Sequence, residues 1–498
     1  MSQAAFTPPV DAASADPRRW VALAILLLAN FMNLIDVTVV NVAIPSMQAN
    51  LGADPSQIEW VMAAYVLAFA LGLLPFGRLG DIVGRKRMFL IGVSLFTLGS
   101  FLCGIAPSIQ LLIGARVLQG LAGSVMTPQV LSIAQVIFPP KERNLAFSLF
   151  GLSAGLASVA GPVVGGLLIA GNFWGLDWRP IFLVNIPFGL LTVFVGAALI
   201  IKVPPHPGLR NDYVGIGIFG LAMLLLIYPL IEGRTYGWPV WCFAMMAAAV
   251  ALGAAFVLWE KRREARGETQ LLPVALLVNR NFLIGTLMTL MFSSGVPGFF
   301  LTFALFLQTG FGLTPLQSGL TGIPFSMGVV VASLSSGRLG GRFLPQRFAL
   351  GALLLAAGMA YVRWTITGVG DHIDQLAFTL PLAISGIGLG LGFASLFQMV
   401  LAGVPHKDAG SASGVLQAFQ QAGGALSVAL IGEIFFTWLD NAQAWGATSQ
   451  AQGFAHAAAA ADLYVIAVFI AVAALVPFLK RAPNPAGAPQ AAPVVVEG

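Results

Sequence analysis

The chain has 498 residues, 58% of them hydrophobic and only 9% charged. A soluble domain carries about 25% charged residues, so this is not a large soluble protein, and no nucleic-acid partner is expected. The formal net charge of +5 matters less than where the basic residues fall.

Apolar runs of about 20 residues read as membrane-spanning helices. In chain order they fall near 20–44, 57–76, 87–106, 108–136, 145–170 and 180–202, then 213–232 and 239–259. Six more follow near 281–307, 316–337, 348–368, 375–403, 409–438 and 461–479. The first run is too long for a cleaved signal peptide and no small-residue cleavage site follows it. Six, two and six make fourteen spans, and an even number puts both tails on one side. Cys103 and Cys242 lie in apolar runs and read as small buried hydrophobes. The four histidines lie in or near predicted loops without ligand spacing, so no metal or cofactor is expected.

Basic residues choose the side. Of the 25 Lys and Arg, all but Arg116, Arg179, Arg234 and Arg363 fall on the tail side of this count. Both tails are therefore expected in the cytoplasm of a bacterial inner-membrane protein. A miscounted helix would invert every later loop.

The loop after helix 2 reads GRLGDIVGRKR (77–87), and the loop after helix 10 reads GRLGGRFLPQR (337–347). A six-helix repeat separated by two inserted helices gives that offset. The expected architecture is all-α and integral to the membrane. It comprises a tail (1–19), a six-helix bundle (20–203), two extra helices with a linker (204–280), a second bundle (281–480) and a tail (481–498). Two repeat-related halves with a site between them near mid-membrane are a known transporter plan. The charged run EKRREARGETQLLP (260–273) reads as a solvated cytoplasmic linker.

GRLGDIVGRKR is similar to the loop signature of the major facilitator superfamily, with Gly77, Leu79, Asp81, Gly84, Arg85 and Lys86 on its positions and Ile82 departing from it. RVLQGLAGS (116–124) resembles the helix 4 signature. GLASVAGPVVGG (155–166) resembles the helix 5 signature of the antiporter branch. LIDVTVVNVAIP resembles helix 1 of the fourteen-helix drug:proton antiporters, and LTPLQSGLTGIP (313–324) and 410–435 resemble that subfamily's second half. The resemblance covers roughly residues 20–480. It implies a proton-driven exporter of lipophilic, often cationic compounds, not an enzyme, whose partners are its substrate, protons and membrane lipids. It leaves the need for a periplasmic adaptor open.

Asp36 is a carboxylate within helix 1, expensive at about 2.5–3.5 kcal/mol at a helix centre. Arg116 on helix 4 is its natural partner: each lies ~12–13 Å from the outer end of its helix at about 1.5 Å per residue. Burial favours the neutral carboxyl and a guanidinium the ionised one, so Asp36 reads either as a proton carrier or as half of a static pair. Gln119 is one turn from Arg116 and could bond the same site or a substrate. Glu433, near the outer end of helix 13, is a candidate second titrating group or a water-facing acid.

Residues 77–87 read as a tight turn. Gly77 and Gly84 permit close approach or unusual backbone angles, and Asp81 caps helix 3. The resemblance adds a cytoplasmic gate built from Gly77, Asp81, Gly84, Arg85 and Lys86, in which Asp81 pairs with the opposite half. It likewise turns Gly155, Gly161, Pro162, Gly165 and Gly166 from plain packing into a helix interface that limits leak, with Gly410, Gly414, Gly423 and Gly424 acting similarly. Candidate cavity residues are Phe31, Met32, Asn33, Tyr65, Phe299, Phe300, Phe303, Gln308, Gln398, Gln417, Phe419, Gln420 and Gln421, because aromatic and Met surfaces accept lipophiles and cations. Each of them singly reads as readily as packing or lipid-facing surface. Competing readings are a symporter or single-metabolite exporter of the same fold and, remotely, a membrane enzyme, for which no phosphate loop or metal cluster speaks.

The orientation is testable by fusion. A reporter active only in the cytoplasm should work after Arg481 and fail between Asn441 and Ala457; the reverse would sink the fourteen-span count.

Overall fold

The computed structural model describes residues 18–53, 55–201, 211–339, 343–370, 372–402, 404–405, 408–444, 446–447 and 449–479. Expectations for the tails, for His206, His406, Lys202, Arg210, Arg342, Lys407, Lys480 and Arg481, and for Gly340 in the second GRLG copy lie outside these residues. The first bundle comprises α1 (Arg19–Leu51), α2 (Pro55–Val83), α3 (Arg85–Gly104), α4 (Ile109–Ile137), α5 (Pro140–Gly171) and α6 (Pro180–Leu183 and Asn185–Leu199). The inserted pair is α7 (Tyr213–Glu232) and α8 (Val240–Ala265). The second bundle comprises α9 (Arg280–Ser293 and Pro297–Leu305), α10 (Pro315–Thr321 and Ile323–Leu339), α11 (Leu344–Thr367), α12 (Thr379–Leu401), α13 (Ala409–Asp440) and α14 (Gln450–Leu475). Thirteen helical segments of the described chain are long and apolar enough to span a membrane, and the 32-residue α5 stands between two of them.

Helices are the natural solution in lipid because they satisfy their own backbone. Two boundaries depart from expectation. The turn at 77–87 is far shorter than read: α2 runs to Val83 and α3 begins at Arg85, so Gly84 alone makes the corner, at φ 108°. Only glycine adopts that angle freely. Gly77 and Asp81 therefore lie on α2, and Asp81 does not cap α3. At the other departure, α14 begins at Gln450 rather than near 461. Its alanine-rich first turns have high helix propensity but weak hydropathy, which hid them. His456 consequently lies inside a helix, and Asp462 lies well within it and not at its start.

The charged linker is also less free than expected. Glu260 is fully buried at the end of α8, where its Oε1 accepts Leu271 N at 3.3 Å. Arg263 pairs with Glu268 at 2.9 Å and Asp212 at 3.4 Å. Lys261, Arg262, Glu264 and Arg266 are exposed.

The bundle end that carries Arg85–Arg87 is called the basic end below. There Arg19 forks onto Glu142, Nε to Oε2 at 2.8 Å and Nη2 to Oε1 at 3.0 Å, tying α1 to α5. Those hydrogen bonds hold the Glu142 carboxyl below its ordinary range.

The two bundles meet along α2–α13 and α5–α10, with small residues at the contacts. A Cβ on Gly77 would lie 2.5 Å from the Gly410 carbonyl oxygen, and one on Gly414 2.6 Å from that of Leu73. Ser132 Oγ lies 3.1 Å from Ser413 Oγ, and Gln135 donates to Leu401 O at 3.1 Å. These contacts close the basic end between the bundles. A Cβ on Gly155 would meet Val329 at 2.9 Å across the α5–α10 seam. Gly161 and Gly165 instead press on Thr38 and Val39 of α1, within the first bundle, whereas Gly166 faces open space. Pro162 falls inside α5. On α13, Gly423 presses on Leu290 of α9, while Gly424 is loosely placed, with Pro297 at 3.8 Å.

Gly77→Val should force α2 from α13. Overpacking of this kind costs about 1–3 kcal/mol. A cysteine introduced at Ser413 should then become reactive to an impermeant thiol reagent in everted vesicles, and remain protected with Gly77 intact. Equal protection in both would mean that this seam does not seal the basic end.

Candidate functional site

The first bundle is built around one charge pair. Asp36 on α1 is fully buried and Arg116 on α4 is 1% exposed. Arg116 Nη1 donates to Asp36 Oδ2 at 2.5 Å. Gln119 Nε2 donates to Asp36 Oδ1 at 2.8 Å, and Arg116 Nη1 also donates to Gln119 Oε1 at 2.7 Å. Asn185 Nδ2 on α6 reaches Asp36 Oδ1 at 3.1 Å. Ser100 on α3 accepts from Gln119 at 2.7 Å and from Asn185 at 3.2 Å. Every group bonded to Asp36 donates to it, which is the arrangement of an ionised carboxylate. Charge-assisted bonds of this kind are the strong ones.

Arg116 is held from two more sides. Its Nε donates to the Val61 carbonyl at 3.0 Å. Its guanidinium carbon sits 4.2 Å from the centre of the Tyr65 ring, a cation–π geometry. Tyr65 accepts from Asn33 Nδ2 at 2.6 Å and stacks on Phe69. Close backbone approach makes this possible. A Cβ on Gly99 would touch Gln119 at 3.0 Å, and one on Gly120 would run into the Tyr65 carbonyl.

Of the expected site residues, the fold thus brings together Asp36, Arg116, Gln119, Asn33 and Tyr65. Met32 is buried beside them in sequence and Phe31 is half-buried. Ser100, Asn185 and Cys103, whose Sγ lies 3.6 Å from Gln119 Oε1, were missed. Their one signal was a polar side chain inside an apolar run. Nothing in linear spacing links α3 or α6 to Asp36.

Other candidates lie elsewhere. Phe299 and Phe303 stack on each other at 5.4 Å in the second bundle, with Phe303 edge-on to Phe378. Phe300 packs on Phe325. Gln308 sits in a π-helical turn, Phe306–Gly310, that ends α9. Gln398 and Gln417 are buried, and Gln417 Nε2 has no hydrogen-bond partner among the described residues. Phe419, Gln420 and Gln421 are half-buried on α13. Glu433 is not part of the Asp36 cluster: its Oε2 accepts from Trp238 Nε1, in the α7–α8 loop, at 2.8 Å. A groove of about 600 Å³ at the far end of α11, lined by residues such as Tyr361, Trp364, His372 and Asp374, contains none of the candidate cavity residues.

At the basic end, Asp81 Oδ1 accepts from Arg85 Nε at 3.0 Å and Nη2 at 2.8 Å. Its carboxylate faces Gly410 in the first turn of α13, where a Cβ would lie 2.7 Å from both oxygens. That is the positive end of the helix. Asp81 therefore approaches the opposite bundle through a helix end. The cross-bundle charge contact comes from its neighbour: Arg78 Nη1 lies 3.7 Å from Asp408 Oδ1. Lys86 Nζ donates to Ala197 O at 2.7 Å.

Removing one partner of a buried pair leaves an uncompensated charge, at a cost of about 3–5 kcal/mol. Arg116→Met should destabilise the protein by that order in detergent unfolding. The double variant with Asp36→Asn should recover most of the loss. A double variant no more stable than Arg116→Met alone would show that the cost came from packing and not from charge.

Comparison with known proteins follows the same lines. The family model of the Major Facilitator Superfamily matches residues 26–215 and 207–428. The chain is 40% identical to the probable actinorhodin transporter of Streptomyces coelicolor over 442 residues, 87% of this chain and 76% of the relative. It is 34% identical to the puromycin resistance protein pur8 of Streptomyces alboniger, over 86% of this chain and 84% of the relative. It is 32% identical to the tetracenomycin C resistance and export protein of Streptomyces glaucescens, over 83% and 76%. Among solved structures, the human organic anion transporter MFSD10 superimposes with a TM-score of 0.65 at 13% identity, covering 93% of this chain and all of that one. The proton:xylose symporter XylE does so with a TM-score of 0.65 at 12% identity, covering 93% and 96%. The two bundles, the inserted pair and these matches lead to one conclusion: the chain belongs to the Major Facilitator Superfamily and is a multi-pass membrane transporter, not an enzyme.

Proposed function

We propose that the chain exports lipophilic, often cationic compounds across a bacterial cytoplasmic membrane in exchange for protons, with both termini in the cytoplasm. The observation that carries this reading is the buried Asp36–Arg116–Gln119 cluster. A carboxylate held by donors from two other helices of its own bundle, α4 and α6, can be released by small helix shifts. Released into an apolar interior, it takes a proton, because the ionised form is then unsatisfied. The names of the relatives, which concern actinorhodin transport, tetracenomycin C export and puromycin resistance, support export over uptake.

In this reading the basic end faces the cytoplasm. Access from that side requires Ser132 to part from Ser413 and Gln135 from Leu401, and α13 to withdraw its first turn from Asp81. Gly77, Asp81, Gly84, Arg85 and Lys86 then serve as the gate: Gly84 makes the corner, Arg85 fastens Asp81 to α3, and Gly77 admits α13. Substrate enters as Asp36 gives its proton to the cytoplasm. With the basic end closed, substrate leaves at the far end and the carboxylate takes up a proton there. Asn33, Tyr65 and Met32 offer a polar and aromatic wall beside the pair. Phe299, Phe303, Gln398, Gln417 and Gln420 are the second bundle's candidate contributions. Glu433 remains the reserve carboxylate, although its bond to Trp238 places it with the inserted pair.

Asp36→Asn is nearly isosteric and keeps the bonding shape while removing titration. Everted vesicles carrying it should insert normally yet lose proton-driven efflux and substrate-induced proton release. Normal pumping against a gradient, with unchanged proton release, would leave Asp36 a structural partner of Arg116.

A further inference from the structure

The second bundle holds a buried acid that the Asp36 cluster does not use. Asp462 on α14 is 2% exposed, and its Oδ2 is buried without a hydrogen-bond partner among the described residues. One turn earlier on the same helix, the carbonyl of Ala459 accepts a hydrogen bond from Arg363 Nη1 of α11. Residues three apart share a helix face. The guanidinium is thus docked next to the carboxylate but spent on the backbone.

The arrangement echoes the first bundle. There α1, α3 and α6 supply Asp36, Ser100 and Asn185. Their counterparts in the repeat are α9, α11 and α14. These supply Ser294, Arg363 and Asp462, with Ser294 Oγ 2.9 Å from the Tyr464 hydroxyl. In both bundles these three helix positions carry polar side chains, one of them an acid; in the second, Ser294 joins α9 to α14 through Tyr464 and Arg363 joins α11 to α14 through Ala459.

An ionised carboxylate without donors is costly in an apolar interior unless it is paired or neutral. Charged and titratable groups on the elements packed against α14 are Arg347, Tyr361 and Arg363 on α11, Glu433 and Asp440 on α13, and Arg280 on α9. His456 and Tyr464 lie on α14 itself. Of these, Arg363 is the charge that acts on Asp462. Tyr464 is engaged with Ser294, Glu433 with Trp238 and Arg347 with Ser336 O.

We propose that Asp462 is a second proton-binding site. It is neutral while Arg363 is held by the Ala459 carbonyl, and it ionises when Arg363 moves one turn along α14 to pair with it. The proton arrives from water onto a carboxylate oxygen and returns to water. Arg363 stays protonated throughout, so the pair changes by one positive charge. The use of this site in transport rests on the proton coupling proposed above; its protonation does not.

The test is infrared spectroscopy of the purified full chain in lipid nanodiscs. At neutral pH the wild type should show a neutral-carboxyl C=O band that shifts in heavy water. In the difference spectrum one component of that band should be lost in Asp462→Asn and retained in Asp36→Asn, with any contribution of the buried Glu260 common to both. Arg363→Gln, which removes the competing pair, should keep it over a wider pH range. A spectrum unchanged by Asp462→Asn overturns the proposal. Should that variant fail to fold, a band unmoved by Arg363→Gln overturns it instead. Because the infrared readout measures no transport, failure of the Asp36 reading leaves it intact. In everted vesicles Asp462→Asn should lower the protons exchanged per substrate by one without abolishing efflux.

Discussion

A carboxylate and a guanidinium 2.5 Å apart inside an apolar bundle impose the condition that the rest of this structure meets. Burying two charges is repaid only when the remaining donors and acceptors are also matched. Here α3, α4 and α6 all supply matches to Asp36 or its partners, and α2 supplies the Val61 carbonyl and the Tyr65 ring. The first bundle is consequently organised by one polar knot. Apolar packing flanks it, with Val40, Leu112, Ile181 and Phe182 fully buried in one cluster and the Phe182 ring 5.8 Å from the Arg116 guanidinium.

The seams between bundles obey a different rule. Lipid gives little hydrophobic drive to helix association, so close backbone contact and short polar bonds do the joining. Gly77 against Gly410 and Gly414 against Leu73 bring α2 and α13 together at the basic end. The hydrogen bonds that cross there between Ser132 and Ser413 and between Gln135 and Leu401 are neutral, and the Arg78–Asp408 charge contact beside them is long, at 3.7 Å. Neutral hydrogen bonds contribute about 0.5–1.5 kcal/mol each net. A seam made this way is tight in shape and weak in bonding, which suits an interface that must part.

The inserted helices are tied to both bundles. Tyr228 of α7 lies 6.1 Å from Trp60 of α2, ring to ring. The α7–α8 loop reaches α13 twice, through Trp238 to Glu433 and through Arg234 over the Phe436 ring at 3.3 Å. At the basic end, Asp212 and Arg263 join the start of α7 to the end of α8, and Glu260 holds the linker. The pair thus forms a strut on the α2–α13 side. Glu433 belongs to that strut, which explains why an acid near a helix end is half-buried without approaching Asp36.

The sequence by itself determined the helical spans and their six–two–six order, and it set an expectation for the side of each loop. These follow from hydropathy over about 20 residues and from the placement of Lys and Arg, both local quantities. It also exposed Asp36, Arg116 and Gln119, because charge or amide inside a long apolar run is rare enough to stand out. It could not join Asn185 or Ser100 to them, since contacts between different helices leave no spacing signal. It placed Asp81 on a cap because the chain order put α3 next, whereas its carboxylate faces α13, 329 residues on from Asp81 at Gly410. It passed over Asp462 because the residue stands at the very start of the expected span 461–479, where an acid reads as a water-facing helix end; the helix in fact begins about three turns earlier, at Gln450. The tertiary structure decided which polar groups share one site, because only helix packing brings residues distant in sequence within hydrogen-bond reach.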